Sequence, residues 1–144
     1  MMLKNQMMDY KLLNECIKIS KEYKIYDECI TITNDKFDIN KFRDKVNWYS
    51  VSSWQTLSEE FIREFKDEVD WYSISWFQIL SEEFIIEFKD KVNWSGISEH
   101  QKLSEEFICE NLDNIEIYWL FINNKINLTK EFKDKIRVLK MLIG

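Results

Sequence analysis

The side chains in this chain that could do chemistry are few, and their spacing does not make them converge. The only histidine is His100, and the cysteines are Cys16, Cys29 and Cys109. A zinc site needs three or four nitrogen or sulfur ligands at short, regular spacing. No C-x-x-C occurs, and nothing near His100 supplies a second strong ligand. His100 therefore reads as a partly exposed helix residue, and Cys109 as a residue on an outer helix face with nothing to activate its thiol. An odd cysteine count without a paired spacing reads as reduced thiols in a cytoplasmic protein. Carboxylates recur as neighbours, at Glu59/Glu60, Glu82/Glu83 and Glu105/Glu106. Adjacent residues on a helix project roughly 100° apart, so these pairs make neither a chelate nor an acid–base couple. With Gly96 and Gly144 as the only glycines, no glycine-rich phosphate loop is available. The expectation is no catalytic residue, no metal and no cofactor.

The elements carrying these residues repeat. Residues 44–66 read DKVNWYSVSSWQTLSEEFIREFK, residues 67–89 read DEVDWYSISWFQILSEEFIIEFK, and residues 90–112 read DKVNWSGISEHQKLSEEFICENL. The first two agree at 16 of 23 positions without a gap. A fixed period of this kind marks a repeat architecture, in which a unit buries its apolar face only against its neighbours. Each unit carries two helix starts. Asn47, Asp70 or Asn93 caps a first helix, and Ser58, Ser81 or Ser104 caps a second whose Glu pair faces the positive end of the macrodipole. Phe61, Ile62, Phe65 and Val69 form one apolar stripe. Cap and period signals predict helices of about nine and about ten residues. The recurring Trp48, Trp71 and Trp94 read as packing between repeats rather than as base-stacking platforms. Gln55, Gln78 and Gln101 are expected to bond backbone at the turn between helices, helped by Ser52, Ser75 and Ser98.

The expected fold is all-α: one domain over residues 1–144, a short solenoid with two helices per 23-residue repeat and atypical caps at both ends. Residues 1–43 form an N-terminal cap and partial repeat, with a helix over 9–24 and a second-helix match beginning at Asp35 as its cap. Residues 25–33 fit either a short extended piece or a poor helix. Residues 113–144 form a degenerate repeat, ending in a helix capped by Asn127.

The chain has no Pro and no Ala, a bias typical of AT-rich genomes. Its net charge of −6 is uneven: residues 44–112 hold 15 acids and 6 bases. Nucleic-acid binding needs a basic stripe, which this region lacks. Such an acidic centre suits a basic protein surface. The start of the chain lacks the apolar core of a signal peptide, and no apolar run approaches a membrane span.

The phrase LSEEFI-x-EFKDKV-x-W-x-x-IS-x-x-Q resembles a short tandem α-helical repeat common in proteins of giant DNA viruses and AT-rich microbes. The match covers residues 44–112. The resemblance implies a helical array and a viral or phage-like source; it implies no activity and supplies no catalytic residues.

Positions that differ between copies are free of the demands of the stack, and specificity can live there. Tyr49/Tyr72/Ser95, Ser53/Trp76/Glu99 and Thr56/Ile79/Lys102 are spaced i, i+4, i+7 on the first helix and share a face. Arg63/Ile86/Cys109 is a varying position on the second. In the middle repeat the first face reads Tyr72, Trp76, Ile79. Aromatic anchors with an acidic rim match a protein–protein hot spot. The expected partner-binding residues are Tyr49, Tyr72, Trp76, Ile79, Ile86 and Glu99, taking either a protein partner or a second copy of the chain. The competing expectation is that end units cover the stripe and Trp76 is core.

Overall fold

The computed structural model describes residues 9–30 and 37–144. Among those residues the chain is all-helical, with eleven helices, no strand, and one isolated antiparallel bridge between Ile30 and Phe37. It divides into two compact units, Met1–Val69 and Asp70–Gly144.

In the first unit, α1 (Tyr10–Glu22) opens at Asp9, whose carboxylate accepts from the Lys11 amide. Leu12, Cys16 and Ile19 are its buried face. The helix is followed by Lys24 at φ 59°, a left-handed conformation that costs a side-chain-bearing residue about 1 kcal/mol. The Ile25 amide then bonds back to Ser20 O at 2.8 Å. α2 (Tyr26–Cys29) is a single turn and Ile30 is extended, so this stretch holds both forms the sequence allowed. Residues 31–33 of it lie outside the described residues. α3 (Ile39–Lys45) is capped by Asp38, which accepts from the Asn40 and Lys41 amides at 3.0 and 3.3 Å. The expected cap, Asp35, lies outside the described residues; the helix begins one residue after Asp38, and that carboxylate takes the role. α4 (Trp48–Trp54) and α5 (Glu59–Glu64) complete the unit. In the second unit follow α6 (Trp71–Phe77), α7 (Glu82–Glu87), α8 (Trp94–His100), α9 (Glu105–Glu110), α10 (Ile117–Ile122) and α11 (Lys130–Ile143).

The three repeats share one local grammar. Asn47, Asp70 and Asn93 accept from the amides of Ser50, Ser73 and Gly96, each at 2.9 Å. The Ser58, Ser81 and Ser104 hydroxyls accept from Phe61, Phe84 and Phe107 amides, each at 3.1 Å. Each such cap contributes about 1 kcal/mol. The helices are shorter than predicted, seven and six residues. The reason lies after Phe65 and Phe88, where the apolar period continues through a turn. Val69 N and Val92 N still bond to Phe65 O and Phe88 O at 3.0 Å, and both valines are buried. At the other end, the last helix starts at Thr129, not Asn127: the Thr129 hydroxyl accepts from Phe132 N at 3.1 Å.

Each repeat's core is aromatic. Trp71 packs on Phe84 and Phe88 of its own repeat, and Trp94 on Phe107 of its own. Trp48 touches Phe61 and Phe65 of its own repeat and also Phe42 of α3. The tryptophan rings thus pack between the two helices of their own repeat, while the indole N–H of Trp94 crosses the repeat boundary and donates to Lys89 O at 3.1 Å. Full burial of each phenylalanine is worth roughly 1.5–3 kcal/mol.

Buried polar bonds help join one repeat to the next in the second unit. Gln101 donates to Ser75 O and Gln78 O of the preceding repeat at 3.1 and 2.8 Å, and accepts from Leu80 N at 3.0 Å. These partners lie across the repeat boundary, at the turn of the preceding repeat rather than its own. Asn123 does the same one step on, donating to Ser98 O and Gln101 O at 2.8 Å each. The Ser75 and Ser98 hydroxyls accept from the amides of Asn93 and Glu116 at 2.8 and 3.0 Å. Glu82 accepts from the amide and hydroxyl of Ser104. In the first unit Glu15 holds Ser58 in the same way. Glu82 is therefore a clamp as well as a dipole partner. These bonds lay α6, α8 and α10 side by side.

Candidate functional site

The second unit presents a row of aromatic rings across α6, α8 and α10. Helical spacing puts Tyr72 and Trp76 on one face of α6, and their rings stack at 5.5 Å between centroids. Trp76 then crosses onto α8. Its indole lies against Gly96, so closely that a β-carbon there would come within 2.6 Å of its Cδ1. Its Nε1–H donates to Asn93 Oδ1 at 3.3 Å. Beyond Gly96 the ring meets His100 at 4.7 Å and Trp119 of α10 at 5.8 Å, edge-on. Tyr118 closes the row against Trp119 at 5.2 Å.

The reason for this arrangement is local. Where the repeats place Ser50 and Ser73, the third places Gly96, and where they place Tyr49 and Tyr72 it places Ser95. Small residues lower the wall of α8, and indoles from its two neighbours meet over it. Trp76 and Trp119 are half-buried, whereas Tyr72 and Tyr118 are 55% and 70% exposed. Trp76 is therefore neither free nor core: it is packed on one side and open at an edge.

The structure brings together only some of the expected binding residues. Tyr72, Trp76 and Glu99 share this neighbourhood; Glu99 is half-buried, with Oε2 3.6 Å from His100 Nε2. That oxygen is shielded from solvent and accepts no hydrogen bond. Ile79 is exposed but falls in the turn after Gln78, because α6 stops at Phe77; it does not extend the helical stripe. Ile86 lies exposed on α7, a helix that contributes no ring to the row. Tyr49 is exposed on α4 of the first unit. The sequence reading missed Trp119 and Tyr118, which the degenerate fourth unit concealed. It also missed Gly96 as a structural signal, although it is the one internal glycine and stands where the sister repeats carry serine.

Elsewhere the titratable groups are put to structural use. Arg43 pairs with Glu64 and approaches Glu68 at 3.6 Å. Lys140 donates to the carbonyls of Leu112 and Ile115 at 2.6 and 3.0 Å. Burial pushes the Cys16 thiol up from 9.0 to about 12, reinforced by the negative fields of Glu15 and Glu64. Burial also raises Cys29. Both thiols stay protonated at neutral pH and make poor nucleophiles. Among the described residues, no group of three His, Cys, Asp or Glu is arranged to hold a metal ion. None of their helices is long and apolar enough to cross a membrane. An open depression of about 250 Å³ is lined by Glu105, Thr129, Glu131, Phe132 and Lys135. It lacks a histidine, a cysteine or a matched nucleophile and base.

No protein-family model, curated protein or solved structure matches this chain.

Proposed function

We propose that this chain is a non-enzymatic helical-repeat module, its 23-residue units arranged as a short solenoid, that binds another protein through the aromatic row of the second unit. The observation that carries this reading is the row itself. Two exposed tyrosines flank two half-buried tryptophans, while the other conspicuous polar groups of the unit serve caps and cross-repeat bonds. Tyrosine and tryptophan with an acidic rim are the composition of a binding hot spot. The composition and the repeat resemblance support a viral or phage-type effector acting in the host cytoplasm by masking a host protein. The acid excess suits a basic surface, such as the substrate groove of a defence nuclease. A second reading, assembly of the chain on itself, rests on the same exposed rings.

Tyr72 and Tyr118 allow a clean test, because both are exposed and their removal leaves Gly96 covered. The double variant Tyr72→Ser/Tyr118→Ser should keep its helical circular dichroism. Sedimentation velocity of both proteins reads self-association, and capture from host lysate reads a foreign partner. Association lost in the variant supports docking at the row, with the species lost telling the two readings apart. Equal behaviour of the two proteins in both assays overturns it.

A further inference from the structure

We infer that the occupant of the aromatic row is an arginine side chain borne by a basic protein segment, held between the rings and Glu99. This rests on the docking reading above and names the chemistry of the partner. The starting point is an anomaly at one atom. Glu99 Oε2 is shielded from solvent without a hydrogen-bond donor, and the nearest cationic candidate, His100 Nε2, is 3.6 Å away. A carboxylate oxygen so placed is costly until a donor reaches it.

That atom decides between kinds of occupant. An apolar helix laid over the row would cover the part of Glu99 that is still exposed and leave its charge unpaired, which is strongly unfavourable. A cation removes that obstacle. Residues 70–122 hold eleven acids and three bases, so the whole surround favours a basic approach. Between the two available cations, arginine fits better. Its planar guanidinium lies flat on exposed tyrosine and tryptophan rings and can offer two parallel donors to one carboxylate. Lysine satisfies the charge but stacks less well, and its ammonium holds its water more tightly. The side chain of Glu99 keeps 21% of its surface exposed although Oε2 itself is shielded, so a guanidinium in the row meets the exposed part of the carboxylate and pairs with Oε2 on rotation of that side chain.

The test uses the full chain, labelled with ¹⁵N, and three blocked peptides: Gly-Arg-Gly-Arg-Gly and its lysine and citrulline counterparts. The indole N–H signals of Trp76 and Trp119 report the row, and that of Trp94, packed on Phe107, serves as control. The arginine peptide should shift the two row signals saturably, the lysine peptide should bind about threefold or more weakly, and citrulline should leave them unmoved. Glu99→Gln, nearly the same shape, should weaken the arginine peptide about tenfold while the rest of the spectrum stays native. Equal shifts in wild type and Glu99→Gln, or an equal shift at Trp94, overturn the inference. If Tyr72→Ser/Tyr118→Ser abolishes association while the arginine peptide leaves the row unmoved, docking at the row stands and the arginine occupant falls.

Discussion

Trp76 and Gly96 are one structural decision made at two positions. The indole occupies the space a β-carbon would need, and its N–H is tied to Asn93. Two opposing terms act on Gly96→Ala. Alanine is favoured over glycine in a helix by about 1 kcal/mol. Against that, overpacking a fitted contact costs about 1–3 kcal/mol. The contact is side chain rather than backbone, but Asn93, His100 and Trp119 restrain the ring, so the clash wins. Gly96→Ala should lower stability by about 1 kcal/mol in urea denaturation. In a Trp76→Ser background, which reproduces the Ser53 of the first repeat, the same substitution should become stabilising. An unchanged sign between the two backgrounds would show that the close approach is not energetically coupled.

At the scale of the element, these helices are too short to persist alone, since isolated helices below about 12 residues are marginal in water. The short helices of the repeats survive here because side chains cap their starts and, in the second unit, the turns are bonded across to the neighbouring repeat. Gln101 is the clearest case: it is buried, and one amide serves two carbonyls and one N–H of the preceding repeat. Gln101→Ala strands all three, each a buried polar group costing about 1–3 kcal/mol when unpaired, with relaxation and water entry reducing the sum. A loss of about 2–4 kcal/mol is expected from chemical denaturation, against about 1 kcal/mol for the cap variant Ser104→Ala. Equal losses would mean the cross-repeat bonds matter no more than a cap. The degenerate unit supports the ranking. There α10 is one residue shorter than its counterparts, glutamine is replaced by the shorter asparagine at Asn123, and the two donated bonds persist.

At the scale of the whole molecule, charge sets how the aromatic row behaves in solution. The chain carries −6 at neutral pH and has an isoelectric point near 4.9. Net charge of one sign keeps molecules apart; near the isoelectric point that repulsion vanishes and exposed apolar rings are free to associate. Sedimentation velocity should give a smaller average mass at pH 7.5 and low salt than at pH 5. Tyr72→Ser/Tyr118→Ser should suppress the growth at pH 5. Growth unaffected by the double variant would place self-association on another surface, for which the exposed Val138, Met141 and Leu142 of α11 are the nearest candidates.

Helix class, period, caps and core stripes were legible in the sequence because they follow from local rules. Asn47, Asp70, Asn93 and the three cap serines act where their types and spacing put them, and Phe61, Phe84 and Phe107 are buried as the stripe required. Helix lengths were overread because an apolar period does not reveal where a helix gives way to a turn that keeps the same period. The cap of the last helix was misplaced at Asn127 because Asn and Thr are both good caps and only the fold selects between them. The site divided in the same way. Tyr72, Trp76 and Glu99 stood out as departures from the repeat, but whether Trp76 faced water or core depended on the neighbouring helices. Only tertiary structure laid Trp76 over Gly96, met it with Trp119 from a unit too degenerate to align, and left one oxygen of Glu99 without a donor. Those outcomes depend on contacts between residues some 20 to 40 positions apart, which no local pattern encodes.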